Sequence, residues 1–153
     1  MGMLVVLTYY HDQKPKTGTI MTLAPFYAAP GHIQTHIVAA LVVAGLSPLQ
    51  FWGFRKGSLP HRVSGYLWMA AMLVVAISSF WIRPDAPFHF YGFGPIHLLS
   101  LLALYSVGMT LRAARRGDIE AHRKGLRGLS IGFWLAAAFT LMPPRIMHQI
   151  VFG

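Results

Sequence analysis

The chain has 153 residues, 55% of them hydrophobic and 11% charged, with no cysteine and a formal net charge of +9. Soluble domains carry roughly 25% charged residues, so an ordinary soluble fold is excluded. Without cysteine there are no disulfides, thiolate metal sites or covalently attached haem. Nor is the basic excess a nucleic-acid signature, because nine of the thirteen Lys and Arg fall in two short connections.

The chain opens with MGMLVVLTYYHDQKPKTG. This stretch lacks a basic n-region, and its apolar run is short for a signal peptide. Residues 1–10 read as an interfacial or surface-packed piece of an outer N-terminal segment over 1–30. Four apolar stretches follow, at 33–54, 63–82, 95–112 and 126–142. Runs of about 20 apolar residues read as membrane spans. With their flanks they give spans at 31–55, 61–82, 94–115 and 122–143. The expected fold is all-α: one membrane domain over 1–153, a bundle of four transmembrane helices.

Arg55, Lys56 and Arg62 lie between the first two spans. Arg112, Arg115, Arg116, Arg123, Lys124 and Arg127 lie between the last two. By the positive-inside rule these turns face the cytoplasm, and both termini lie outside. The expected setting is a bacterial inner membrane. Trp52, Tyr66, Trp68, Trp81, Tyr91 and Trp134 read as an aromatic belt, and Met69, Met72, Met109 and Met142 as core filler. Asp118 and Glu120, at the start of the last span, suit a helix N-terminus. No Walker, Rossmann, Ser-His-Asp or paired-carboxylate pattern occurs, and no catalytic residue stands out.

A shift of 61 residues superposes Gly31 on Gly92, His36 on His97, Arg55 on Arg116, His61 on His122 and Arg62 on Arg123. With a one-residue slip RKGSLPHRVSG also matches RRGDIEAHRKG. The pattern predicts a duplicated helical hairpin, its halves related by an axis along the membrane normal. His36 and His97 then pair near the outer surface, and His61 and His122 near the inner one. Polar groups inside a membrane usually mark a functional path. Opposed imidazoles without thiolates suit two haem b groups. Ala39, Ala40, Gly65, Gly125, Gly128 and Gly132 leave room beside the ligands. Arg62 and Arg123 suit the propionates of the inner haem, and Arg83 and Arg145 those of the outer one. His11, His32, His89 and His148 have no repeat partner. Together they form a candidate outer metal site for Zn, or Cu.

Around RKGSLPHRVSGYLWM the chain resembles a large bacterial family of predicted four-helix membrane proteins of unknown function. The resemblance is carried by Lys56, Gly57, His61, Arg62, Gly65, Tyr66 and Trp68, with His122 and Arg123 opening the last span. It covers roughly 31–142. The arrangement is also similar to the cytochrome b561 class, whose four core helices hold two stacked bis-His haems and exchange electrons with quinol or ascorbate. That similarity implies His36 with His97, and His61 with His122, as axial ligands, although b561 proteins combine their helices differently.

The expected function is that of a di-haem b cytochrome, carrying out transmembrane electron transfer as a quinol/quinone oxidoreductase. Membrane lipids and a quinone or quinol are the expected partners, and association into a homo-oligomer is left open. Two other readings stay open: a non-redox protein that binds or transports Zn or Cu, and a structural or assembly protein.

Overall fold

The computed structural model describes residues 23–82, 95–142 and 146–152; the expectation for residues 1–10 lies outside them. Among the described residues every regular element is a helix. Two are short, α1 (Ala24–Ala28) and α6 (Ile146–Phe152). Four are long: α2 (Gly31–Pro48), α3 (Leu59–Ser78), α4 (Pro95–Arg115) and α5 (Ile119–Thr140). α2 continues into a π turn, Leu49–Gly53, and α3 into a 3-10 turn, Ser79–Trp81. The chain forms two compact units, and Ala29–Ala137 is the larger. In the other, α1 packs with α6 and Ile150 is buried.

The two basic turns use the same local device. Gly57 and Gly117 take positive φ, 80° and 74°, which a residue with a Cβ adopts only at a cost. Each is followed at once by a helix cap. Ser58 Oγ accepts from the His61 amide at 3.5 Å, and Asp118 Oδ1 from the Ala121 amide at 2.9 Å. Such caps contribute about 1 kcal/mol each. Glu120, in the first turn of α5, favours the positive helix end. Because these caps precede the apolar runs, α3 begins at Leu59 and α5 at Ile119. At the end of α2, Pro48 lacks an amide proton and the helix widens into the π turn. Lys56 Nζ donates to the exposed carbonyls of Gln50 and Phe51, the latter at 3.0 Å.

The bundle is apolar outside and partly polar within. Leu98, Leu101, Leu102, Tyr105 and Met109 are exposed along one side of α4, at the i, i+3, i+4 spacing of a single face. Ser47, Gln50, Ser78, Ser79, His97, Ser100, Thr110 and Ser130 are buried. That inversion fits a membrane solvent, where small and polar residues line helix contacts. Three helical stretches are long and apolar enough to cross: Gly31–Gly53, Leu59–Trp81 and His97–Arg115. α5 carries Glu120, Arg123, Lys124 and Arg127 in its first half, so its apolar part is shorter. It still joins the common core. Val43 of α2, Trp68, Met69, Ala71 and Met72 of α3, Val107 of α4, and Leu129 and Phe133 of α5 form one cluster.

Two expectations change here. Trp68 is no belt residue; it is 2% exposed, and its indole N–H donates to Ser47 Oγ at 3.0 Å. Met69 and Met72 fill the core, but Met109 and Met142 are exposed.

The α4–α5 contact depends on Gly125. A Cβ there would lie on the Thr110 side chain, within 3.2 Å of its Cβ, whereas one at Gly128 meets nothing within 4 Å. Gly125→Ala should therefore destabilise the bundle by about 1–3 kcal/mol. Gly128→Ala should be neutral, or gain up to about 1 kcal/mol from helix propensity. Thermal unfolding in detergent compares the two.

Candidate functional site

The polar interior concentrates at two levels. At the end away from the basic turns, His36 sits on α2, and its Nδ1 lies 2.9 Å from Ser78 Oγ. The Ser78 hydroxyl donates to Val74 O at 2.6 Å. Its single proton is thus committed, and it must accept from His36 Nδ1–H. This arrangement suits the His36 tautomer with its proton on Nδ1. His97, on α4, is 4% exposed, and its ring packs on Phe80 at 5.9 Å between centroids. One turn on, Ser100 Oγ is 2.5 Å from Ser79 Oγ. Both histidines therefore gather on the Ser78–Phe80 stretch.

At the basic end His61 lies near the start of α3 and His122 near the start of α5. His122 Nδ1 is 3.2 Å from Thr110 O. A carbonyl only accepts, so Nδ1 of this ring is the donor. His61 Nδ1 is buried without a hydrogen-bond partner, as are Thr110 Oγ1 and Ser130 Oγ. The His61 backbone is anchored instead: Gln50 Nε2 donates to its carbonyl at 3.2 Å and to Ser64 Oγ at 2.6 Å.

The glycines behave differently from the expected clearance. The Gln50 amide fills the space beside Gly65, with Nε2 3.6 Å from the place of a Cβ, and Thr110 fills that beside Gly125. Gly128 faces open space, and Gly132 has Leu99 Cδ1 at 3.8 Å.

The remaining candidates are dispersed. Arg62 and Arg123 are exposed at the basic end. Arg83, Arg145, His11 and His89 lie outside the described residues. His32 is exposed near the start of α2. His148 belongs to the smaller unit, where its ring lies 5.0 Å from that of Phe152. Among the described residues no group of three or more His, Cys, Asp or Glu is placed to hold a metal.

Sequence reasoning did not single out Gln50, Ser78 or Thr110, which orient the histidines. Gln50 and the Ser78–Ser79 pair interrupt otherwise apolar runs, which was the available signal, whereas Thr110 acts through its backbone carbonyl and gave none.

This combination of an apolar exterior, three membrane-length helices and a polar interior agrees with the family match. Residues 33–152 match the family described as predicted membrane protein, DUF2306. The chain belongs to that family. DUF2306 has no known function, and no curated protein or solved structure matches the chain.

The two tautomers can be checked directly. Nitrogen NMR of the ¹⁵N-histidine-labelled protein should find His36 and His122 protonated at Nδ1 and bare at Nε2. Ser78→Ala should release His36 from this state. His122 should be unchanged, because its partner is a backbone carbonyl.

Proposed function

We propose that this DUF2306 protein is a di-haem b membrane cytochrome. It carries electrons across the bacterial inner membrane as a quinol/quinone oxidoreductase, with four spans and both termini outside. The observation that carries this reading is the state of two interior imidazoles. His36 Nδ1 lies on Ser78 Oγ and His122 Nδ1 on Thr110 O, so that in each neutral ring Nε2 would be the nitrogen left for a metal. Metal-ligating histidines almost always have such an orienting bond, which fixes the ring and raises its basicity.

The donor set fits haem b: neutral imidazoles, inside a bundle, with no thiolate competitor. His36 with His97 would ligate the outer group, and His61 with His122 the inner one, as in the cytochrome b561 class by analogy. Arg62 and Arg123 would meet the inner propionates, and Arg83 and Arg145 the outer ones. Bound haem supplies one-electron redox chemistry. The protein fixes the ligand tautomers, excludes water through the Trp68 and Phe133 core, and holds the two levels apart. A Zn or Cu site at His11, His32, His89 and His148 would be structural, or would shape the outer face.

An absorption spectrum of the purified protein tests the reading. Sharp reduced b-type bands and about two haems per chain are expected, one per histidine pair. His97→Ala and His122→Ala should each lose one haem and keep the other. Retention of both haems in both variants would refute the ligand assignment. A colourless, zinc-rich protein would favour metal binding, and a protein with neither cofactor a structural role.

A further inference from the structure

Beside the His36 level, α2 and α3 leave an open groove of about 530 Å³ lined by His32, Thr35, Val74, Ile77, Ser78 and Trp81. Small-molecule clefts occupy roughly 300–1,000 Å³. Val74, Ile77 and Trp81 are exposed and give it an apolar wall. Its polar rim is one-sided, because the hydroxyl protons are already committed. Thr35 Oγ1 donates to Gly31 O at 2.9 Å, and Ser78 Oγ donates to Val74 O. Both oxygens meet a ligand as acceptors. Ser78 takes one bond from His36 and has a lone pair to spare. The exposed His32 ring, when neutral, offers one acceptor and one N–H donor, so the one-sided character of the rim rests on Thr35 and Ser78.

A groove with a flat apolar wall and a rim of acceptors selects an amphiphile that brings its own O–H donors. Phosphate and ester oxygens of a phospholipid are themselves acceptors, and so are the carbonyls of an oxidised quinone. We propose that this groove is the binding site for the reduced substrate, a hydroquinone. Its ring lies along Val74, Ile77 and Trp81, and its hydroxyls donate to Ser78, Thr35 and His32. The identity of the ligand rests on the quinol-linked reading above; the preference for a donor head group over a carbonyl rests on the groove alone. Ser78 then touches both the substrate and the imidazole of His36, so one hydroxyl joins the two sites.

The test is anaerobic calorimetric titration of the full-length protein in nanodiscs of phosphatidylcholine. The ligands are a short-chain hydroquinone and its oxidised quinone. The hydroquinone should bind about tenfold tighter, the effect of one or two hydrogen bonds. His32→Leu and Thr35→Val, the second nearly isosteric, should each weaken hydroquinone about three- to tenfold, and Thr35→Val should leave quinone binding unchanged. Equal affinity for the two redox forms would overturn the proposal, as would hydroquinone binding that neither variant alters. Haem content, read from the spectra of the same samples, separates the two claims. Colourless protein with selective hydroquinone binding keeps the groove and removes the cytochrome. Two haems without selective binding keep the cytochrome and remove the groove.

Discussion

Hydrocarbon offers a buried donor no partner, so neighbouring residues meet most of the polar groups described above, with His61 Nδ1, Thr110 Oγ1 and Ser130 Oγ left unmet. α3 carries most of that burden. Trp68 reaches Ser47 on α2, Ser78 receives His36, Gln50 reaches the His61 carbonyl and Ser64, and Ser79 meets Ser100 of α4. Interhelical hydrogen bonds in membranes average about 0.6 kcal/mol, so these few bonds contribute little to total stability. Packing of Val43, Trp68, Val107 and Phe133 supplies more. What the bonds decide is rotation: each one permits a helix to present only one face inward. The orientation of the histidines follows from that.

The hairpin repeat read from the sequence is uneven at the candidate site. Gly57 and Gly117, with caps Ser58 and Asp118, align at a shift of 60. The histidines align at 61. His61 is therefore three residues beyond its cap and His122 four, a difference of about 100° around the helix axis. The two rings cannot occupy symmetric places. His122 faces the Thr110 carbonyl, while His61 keeps an unbonded Nδ1. The two turns share one local device, whereas the two histidines differ in position.

Helical character and the membrane setting were legible in the apolar runs, because those runs are long and nearly free of charge. The helix starts at Leu59 and Ile119 were less so, since Ser58 and Asp118 lie in polar turns outside the runs. α5 was the hard element: its first turns hold the basic residues that also define the loop. Gln50, Ser78 and Thr110 were hidden because their importance lies in partners on other helices or across a turn. Ser78 is 42 residues from His36 and Thr110 is 12 from His122. Trp68 was misread for the same reason. A tryptophan in an apolar run suits a core as well as a headgroup region, and only Ser47, 21 residues away, distinguishes them.

The π turn at Leu49–Gly53 gives the α2–α3 hairpin a particular sensitivity. Such a turn accommodates more residues than an α spiral of equal rise, and it brings Gln50 to the His61 backbone while Lys56 closes the loosened carbonyls. Deleting a single amino acid here would leave the hydropathy profile almost untouched and restore an ordinary spiral. It would also swing the Gln50 amide away from its targets. Length polymorphism at this spot would therefore alter the neighbourhood of His61 without replacing any residue there, and indels among homologues would be more telling than substitutions.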